Sequence, residues 1–382
     1  MPGFETIDKQ ELKHLKKIFQ NGGGVLFRHS FEKIRGNSFQ VKEFEKKFAK
    51  KFKSKYALAV SSGTAALRVA LASLGIGKND EVITQSFTFV ATVEAIVESG
   101  AKPVCTQIDD TLNMCPEDLL KKISKKTKAI ILVHMLGSPG NVAKIKKICK
   151  RKNIFLIEDT AWGIGGMYDN KFLGTLGDIG TFSFDFAKTL TTGEGGMLLF
   201  RKKEHFLKAK AWHDHGHENN PKVPRWEDTR SSSGFNFRMT ELQGAIGISQ
   251  LKKFNNIFNK HKKNKNIILK KLKKFKQIRI RELPNNSIDA SESLIFSFRN
   301  SNLAKKFRKI FFKKGYSTKI LPEALSWHFA GKWTHIKELN LNKNNSYNVS
   351  LNKLNKHVSL QIFYKMNNDY PQKIVSTLKE IL

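Results

Sequence analysis

The chain has 382 residues, enough for two or three domains, and its 40% hydrophobic content excludes an intrinsically disordered protein. Its formal net charge of +35 is typical of proteins that bind nucleic acid or an anionic surface. Lysine is nevertheless spread along the whole chain together with Asn, Ile and Phe, and no helix-turn-helix, RRM or zinc-finger pattern accompanies it. Composition explains the charge better than a polyanion does, so no nucleic-acid partner is predicted.

The first residues lack the apolar segment of a secretory signal, and the longest apolar run, AIILVHML at 129–136, is too short to cross a membrane. Cys105, Cys115 and Cys149 are widely spaced, so they predict neither a disulfide framework nor a metal site. These features predict a cytoplasmic protein that is not inserted in a membrane.

Short apolar runs alternate with helical patterns from residue 56 to about residue 200. The predicted strands are 56–60, 81–89, 103–108, 129–136, 154–159, 182–186 and 196–200. Helical patterns lie at 61–75, 90–100, 116–124 and 141–152. Apolar strands separated by helices predict an α/β fold with a mainly parallel central sheet covered on both faces.

The pattern changes after residue 200. Residues 202–222 are irregular and rich in histidine, and 239–254 has the periodicity of an amphipathic helix. The lysine-rich segment 258–276 predicts a long surface helix, followed by strand-like 293–299 and helix-like 302–315. We therefore predict a large domain, 1–256, and a small α+β domain, 257–382. The segment 1–25 is expected to pack on the small domain, and the Asn-rich segment 339–348 is expected to be a loop.

Two segments of the large domain have the residue types of a binding site. SSGTAAL at 61–67 follows a strand and opens a helix, and Gly63 lets an anion such as phosphate approach the helix N-terminus. The same residues are also an ordinary helix cap. Glu158 and Asp159 end the apolar strand 154–159, at the edge where α/β sheets bind ligands. A carboxylate there can hold a protonated ring nitrogen or cap a loop.

The segment FSFDFAKTLTTGEGG at 182–196 places Lys188 between apolar residues and a Gly-rich turn. Burial lowers the pKa of a lysine, and a neutral amine is a nucleophile for a carbonyl carbon. Ser183 supplies a hydroxyl group nearby. A phosphate cradle, a strand-end Asp and a lysine are together what a phosphorylated pyridine aldehyde requires of a protein.

Five segments in this order resemble the DegT-type sugar aminotransferases, which are fold-type I enzymes dependent on pyridoxal 5′-phosphate (PLP). They are SSGTAAL, SFTFVAT, EDTAW, SFDFAKTLTTGEGG and GFNFRMTELQGAIG. The resemblance implies a large domain with a mainly parallel sheet and a smaller C-terminal α+β domain. It also implies that Lys188 joins PLP covalently and carries protons, while Asp159 pairs with the ring nitrogen.

The resemblance implies further cofactor contacts. Phe89 would stack on the ring, and Asn236 would reach the cofactor phosphate of the neighbouring subunit in a homodimer with shared active sites. The phosphate of the same subunit would be held by Gly63, Thr64, Ala65 and Ser183. Trp162 departs from the pattern, because the family often has Gln or His there. An indole N–H can donate a hydrogen bond to the cofactor but cannot accept one.

Other segments, MPGFE, FRHSF, LVHMLGS, HDHGHE and SWHFAGKWTHI, resemble one branch of the family. That branch moves an amino group from glutamate, through pyridoxamine phosphate, to the C8 aldehyde of 3,8-dideoxy-8-oxo-manno-octulosonate. The product is 8-amino-Kdo, a lipopolysaccharide sugar. The alternatives are an aminotransferase for a nucleotide-linked keto-sugar and a basic surface- or nucleic-acid-binding protein with a vestigial site. A PLP-dependent sugar dehydratase would carry His in place of Lys188.

Substrate contacts are predicted at residues outside the cofactor motifs. Arg28 and Arg238 are candidates for a substrate carboxylate, which a guanidinium group matches in geometry. The alternatives are a surface arginine for Arg28 and an intersubunit salt bridge for Arg238. His328 either closes over the sugar or packs in a loop, and Glu94 is expected to touch a sugar hydroxyl.

HDHGHE at 213–218 has histidines at alternating positions. In a strand, His213, His215 and His217 would lie on one face, which is a conceivable metal geometry. A role in the substrate pocket or in the structure is favoured, with His213 and His215 as candidate substrate contacts. No metal site is predicted.

Overall fold

The computed structural model describes residues 3–220, 222–341 and 347–382. The predicted loop at 339–348 lies partly outside these residues. The helices are α1 (Lys9–Asn21), α2 (Gln40–Lys51), α3 (Gly63–Ser73), α4 (Val90–Glu98), α5 (Pro116–Lys122), α6 (Val142–Lys152), α7 (Lys203–Trp212), α8 (Glu241–Leu272), α9 (Ser301–Lys313), α10 (Asn348–Leu354) and α11 (Tyr370–Ile381). The described helices include none that is long and apolar enough to span a bilayer.

The described strands form three sheets. They are β1 (Tyr56–Val60), β2 (Glu81–Gln85), β3 (Lys102–Thr106), β4 (Thr127–Val133), β5 (Phe155–Asp159), β6 (Met167–Tyr168), β7 (Lys171–Phe172), β8 (Ile179–Ser183), β9 (Gly196–Phe200), β10 (Arg279–Ile280), β11 (Ser287–Ile288), β12 (Ser293–Ser297) and β13 (His357–Gln361). Two of the sheets are three-stranded, β10-β12-β13 and β11-β6-β7.

The central sheet has seven strands in the order β1-β9-β8-β5-β4-β2-β3. Strands β3, β2, β4, β5 and β8 pair in parallel, whereas β9 is antiparallel to both β8 and β1. Six strands therefore point the same way. Leu58 packs in one hydrophobic cluster and its neighbour Ala59 in another, so both faces are covered. The predicted mainly parallel sheet is confirmed.

Strand β8 differs from the prediction at 182–186. It runs Ile179–Ser183, where Phe182 pairs with Met197 and Ser183 with Gly196 of β9. After Ser183 the chain leaves the sheet and forms the turn that carries Lys188. The apolar residues Phe184 and Ala187 of this turn are buried without being part of a strand, which is why their pattern resembled one.

Helix α8 joins the two segments that the sequence separated. It runs 32 residues without a break and begins with a capping box between Thr240 and Gln243. Its first half packs in a cluster with Phe44, and its second half in a cluster with Phe307. The domain boundary predicted at 256/257 falls within this helix and stays a prediction.

The C-terminal residues form an antiparallel sheet, β10-β12-β13, packed against α9 and α11. The N-terminal segment lies mainly along α8. Thr6 donates a hydrogen bond to Gln250 at 3.0 Å, and Lys253 pairs with Glu11 at 2.7 Å. Between the residues that the structure describes, one hydrogen bond joins this segment to the predicted small domain, from the amide of Lys365 to Glu5 at 2.8 Å.

Candidate active site

The carboxyl edge of the central sheet brings the predicted site residues together. Because β1, β2, β5 and β8 point the same way, their last residues lie along one edge. Asp159 and Ser183 are the last residues of β5 and β8, and Gly63 and Phe89 lie in the segments that follow β1 and β2. Ligands bind at this edge in open α/β sheets.

Lys188 is 9% exposed and follows β8 in the turn after Ser183. Burial lowers the pKa of this lysine to about 8, although the carboxylates of Glu292 and Asp185 act to raise it. Its Nζ lies 3.4 Å from the ring centroid of Trp162. This pKa leaves a much larger unprotonated fraction of the amine near neutral pH than an ordinary lysine has, as a nucleophile or a proton carrier requires.

The turn that holds Lys188 is itself packed from outside the sheet. A Cβ atom on Gly3 would lie 2.3 Å from the backbone oxygen of Lys188 and 2.6 Å from that of Phe186. The N-terminal segment therefore packs directly against this turn, and a side chain at residue 3 would displace it.

Asp159 ends β5 and is buried, with 5% exposure. Its carboxylate accepts hydrogen bonds from the hydroxyl of Thr92 and the amide of Ala161, both at 3.1 Å. Burial raises the pKa of Asp159, and these two donors together with Lys188 oppose the rise. Since Thr92 donates to Asp159, its own oxygen accepts from Thr88 at 2.7 Å. Thr88 and Thr92 both belong to the SFTFVAT segment, so a motif already recognised in the sequence contains the two residues that support Asp159.

Glu158 precedes Asp159 in the sequence, but its carboxylate is bound by other residues of the protein and not directed at Lys188. Its carboxylate accepts hydrogen bonds from the amides of Leu176 at 2.6 Å and Gly177 at 2.7 Å, and from His134 Nε2 at 3.0 Å. Nδ1 of His134 accepts from the amide of Gly140, so Nε2 carries the proton. Glu158 thus holds loops behind the site.

The N-terminus of α3 and the end of β8 form a small concave surface. The hydroxyl of Ser62 accepts from the amide of Ala65 at 3.0 Å and caps the helix. A Cβ atom on Gly63 would lie 2.8 Å from Cβ of Ser183. The space above Gly63 is therefore bounded by the Ser183 side chain, and Thr64 is exposed beside it. A helix N-terminus with a serine hydroxyl fits a phosphate group.

An aromatic cluster adjoins Lys188. The ring of His328 lies 5.4 Å from that of Phe89 and 6.5 Å from that of Trp162. Phe89 is 39% exposed although it is apolar. Burial lowers the pKa of His328 to about 4, helped by the charges of Lys188 and Lys319. Its Nδ1 donates to the carbonyl of Ala324 at 3.0 Å, which leaves Nε2 as an acceptor.

A second buried lysine, Lys319, was not predicted as a site residue. Its Nζ lies 4.7 Å from the ring centroid of Trp162 and 3.1 Å from the carboxylate of Glu292. In a chain with 68 lysines and arginines, sequence alone could not separate Lys319 from the exposed lysines around it.

Arg28 and Arg238 are engaged within the chain. Arg28 pairs with Glu45 at 2.6 Å and donates to the carbonyl of Ala59 at 2.9 Å. Arg238 pairs at 2.5 Å with Asp214. The predicted role of both guanidinium groups, binding a substrate carboxylate, is therefore not favoured, because carboxylates of this chain already occupy them.

Asp214 is fully buried and has three side-chain partners, two arginines and one histidine. Arg225 contacts both of its oxygens, at 2.5 and 2.9 Å, Arg238 shares one, and Nε2 of His29 lies at 3.1 Å. Burial alone would raise the pKa of Asp214, but His29 and Arg225 hold it well below its usual range. This cluster ties the segment before α2 to the loop that carries Asn236.

The histidines of HDHGHE do not lie on a strand. His213 is the C-cap of α7, and its Nδ1 donates to the carbonyl of Lys210 at 2.6 Å. His215 has a left-handed backbone (φ 54°), and His217 pairs with Asp228 at 3.2 Å. The conceivable one-face arrangement is thus wrong, because a turn follows the helix. The described residues contain no group of His, Cys, Asp and Glu that could hold a metal.

Glu94 and Asn236 are both exposed. Glu94 lies on α4 beyond Phe89, and no hydrogen bond between described residues joins it to the Lys188 site. The side chain of Asn236 accepts from the amide of Arg238 at 3.3 Å. The backbone beside it pairs with the chain near the α3 N-terminus, through Arg238 and Val60.

Similarity to known proteins identifies the family of this chain. Residues 30–379 match the model of the DegT/DnrJ/EryC1/StrS aminotransferase family. The chain belongs to this family. The sequence-based family prediction is therefore confirmed.

A curated relative and two solved structures are similar to this chain. GDP-perosamine synthase of Escherichia coli O157:H7 is 39% identical over 239 residues, which are 62% of this chain and 64% of that protein. The chain thus aligns with somewhat less than two thirds of that relative.

An aminotransferase from Psychrobacter cryohalolentis superposes with a TM-score of 0.86 at 26% identity, covering 98% of this chain and 97% of the other. The PLP form of Spr1654 from Streptococcus pneumoniae superposes with a TM-score of 0.85 at 20% identity, covering 98% of this chain and 96% of the other. These structures share the fold, and the prediction of a fold-type I architecture is confirmed.

Proposed function

We propose that this protein is a PLP-dependent aminotransferase that places an amino group on a carbonyl carbon of a sugar. The observation that carries the proposal is the buried Lys188, whose pKa is lowered to about 8 and which shares a sheet edge with Asp159. Membership of the aminotransferase family supports the same chemistry.

The residues at the sheet edge fit PLP. The α3 N-terminus, with Gly63, Thr64, Ala65 and Ser183, would hold the phosphate. Asp159 would hold the protonated ring nitrogen, which its buried position and its two donors prepare it to do. When bound, the cofactor supplies an electron sink for the carbon that gains or loses a proton.

The aromatic cluster would enclose the cofactor ring. Phe89 offers an exposed ring face at the start of α4. Trp162 can donate through its indole N–H but cannot accept. Both side chains exclude water from the neighbourhood of Lys188, which keeps its amine desolvated.

Lys188 would carry the proton of the reaction. Its Nζ would take the proton from the carbon that bears the amino group of the donor. It would later deliver a proton to the former carbonyl carbon of the sugar, which then bears the new amino group. A pKa near 8 allows both steps close to neutral pH. The amino donor proposed is glutamate.

Two acceptors are proposed, each on a separate observation. A nucleotide-linked keto-sugar is favoured by the similarity to GDP-perosamine synthase. The C8 aldehyde of 3,8-dideoxy-8-oxo-manno-octulosonate is favoured by a resemblance in sequence. The segments FRHSF, LVHMLGS and SWHFAGKWTHI resemble the branch of the family that acts on this aldehyde. With either acceptor, Nε2 of His328 is free to accept a hydrogen bond from a sugar hydroxyl.

Incubation of the purified protein with PLP, glutamate and each acceptor tests the proposal. We expect 2-oxoglutarate and an amino sugar with one of the two acceptors, and neither product with Lys188→Ala. Absence of product with both acceptors and other keto-sugars, in protein that binds PLP, would contradict the proposal. Failure to bind PLP at all would instead favour a vestigial site.

A further inference from the structure

Of the lysines that the structure describes, two are buried, Lys188 and Lys319. The side chain of Lys319 is only 4% exposed. Burial of an ammonium group costs several kcal/mol unless partners compensate it. All other described lysines are at least partly exposed to solvent. Lys188 and Lys319 are the exceptions, and both adjoin the indole of Trp162.

The two lysines converge on Trp162. Nζ of Lys188 is 3.4 Å from the ring centroid and Nζ of Lys319 is 4.7 Å from it. Since both distances end at one point, the two nitrogens are at most about 8 Å apart. This separation is short enough for one small substrate to react at Lys188 and contact Lys319.

Lys319 retains hydrogen-bonding capacity. Its ammonium has three N–H groups. One is directed to Glu292 at 3.1 Å, and no second acceptor is found among the described residues. Its backbone is fixed, because the amide donates to the carbonyl of Ser359 at 2.7 Å. The charge is therefore held in place while two donors stay available.

The surroundings of Lys319 favour an anion. Its charge helps to lower the pKa of His328 and that of His261, each to about 4, although burial is the main cause. Both rings are thus neutral near pH 7. His261 is fully buried on α8, and neither of its ring nitrogens has a hydrogen-bond partner among the described residues. Unused donors beside a fixed cation suit a ligand with carboxylate oxygens.

We propose that Lys319 binds a carboxylate group of the substrate while the reacting carbon lies at Lys188. The proposal rests on the aminotransferase function proposed above. The carboxylate belongs either to the amino donor or to a sugar acid that accepts the amine. Arg28 and Arg238 pair with Glu45 and Asp214. Lys319 is also paired, with Glu292, but it adjoins the indole of Trp162 that Lys188 contacts, and this position makes it the better-placed cation.

The test compares four variants of the PLP-loaded protein. Lys319→Met removes the charge, Lys319→Arg keeps it, and Glu292→Gln removes the anionic partner. Lys208→Met changes an exposed lysine on α7 and serves as the matched control. Isothermal titration calorimetry measures binding of glutarate and of 3-deoxy-manno-octulosonate. Kinetics of the two half-reactions give KM and kcat for glutamate and for each acceptor.

We expect Lys319→Met to weaken binding of one carboxylate probe by roughly tenfold to a hundredfold, the size of a hydrogen bond to a charged group. KM should rise in the same half-reaction with a smaller change in kcat. Weakened glutarate binding would assign the carboxylate to the donor, and weakened binding of the sugar acid would assign it to the acceptor. Lys319→Arg, which keeps the charge, should lose less affinity than Lys319→Met, and Lys208→Met should stay close to wild type.

Glu292→Gln separates ligand binding from a purely structural ion pair. It should leave carboxylate binding intact or tighten it, because the ligand then meets an unpaired cation. Unchanged binding of both probes in Lys319→Met, or equal losses in Lys319→Met and Glu292→Gln, would overturn the proposal. Wild-type protein that binds the probes but aminates no sugar would instead count against the proposed function.

Discussion

At the scale of single residues, Lys188 combines a reactive amine with an energetic cost. Its pKa is lowered by burial from 10.5 to about 8, so the native protein resists protonation at this site. Between these two values the unfolded chain binds more protons than the native chain, and stability rises with pH. Below about pH 8 the cost of burying the charge is fully present.

Lys188→Met should therefore stabilise the cofactor-free protein at pH 7 by about 3 kcal/mol, following from the shift of the lysine pKa. The gain should shrink as pH rises from 8 towards 10.5. Urea unfolding at several pH values measures it, with Lys208→Met as the exposed control. A gain that does not depend on pH would show that packing of the methionine, and not charge, is responsible.

A second prediction concerns Thr92, which positions Asp159. Thr92→Val keeps the shape but removes the donor at 3.1 Å, so burial raises the pKa of Asp159 further. We expect kcat/KM to fall by about tenfold or more, the value of a hydrogen bond to a charged group. The acid limb of the pH profile should move to higher pH.

Thr92→Ser is the matched control, because it retains the hydroxyl and should stay near wild-type activity. An unchanged acid limb in Thr92→Val would contradict the role assigned to this hydrogen bond.

At the scale of elements, the strands were the most predictable part. Their ends were less so, since a buried apolar turn such as that of Phe184 and Ala187 has the composition of a strand. Helix α8 was predicted as two separate helices. Its first half has the pattern of a helix that packs on the large core, whereas its lysine-rich second half has the composition of a surface helix.

In the candidate site, the positions of Gly63, Asp159 and Lys188 near one edge of the sheet were predictable, because short motifs follow strand ends there. Their roles stay predictions. The positions of Lys319 and Glu292 were not predictable, because they meet the motif residues only through tertiary packing. For the same reason, the pairing of Arg238 with Asp214 could not be derived from spacing.

The α3 N-terminus gives the element-scale prediction. In Gly63→Ala the new Cβ would lie 2.8 Å from Cβ of Ser183, so the helix and β8 would have to move apart. Overpacking of this kind costs about 1 to 3 kcal/mol, and we expect PLP affinity to fall by tenfold or more. PLP titration measures the change.

Ser183→Gly in the Gly63→Ala background restores the space and should recover part of the affinity, even though Ser183→Gly alone loses a hydroxyl. Strictly additive losses in the double variant would show that the contact between these two residues is not the cause.

At the scale of the whole molecule, the question is whether one chain completes the site. Asn236 is exposed, and Asp214 with Arg225, Arg238 and His29 fixes the loop that carries it. A rigid loop that presents an exposed amide is suited to a neighbouring subunit. We therefore expect a homodimer in which Asn236 contacts the phosphate held by the α3 N-terminus of its partner.

Subunit complementation tests this arrangement. Lys188→Ala and Asn236→Asp should each be inactive alone, because one removes the amine and the other places a negative charge beside a phosphate. In a heterodimer of the two, one site would carry both defects and the other would be intact. The heterodimer, isolated through two different affinity tags, should have about half of wild-type activity, as two-fold symmetry requires. If Asn236 serves the site of its own subunit, each site keeps one defect and the heterodimer should be as inactive as its parents.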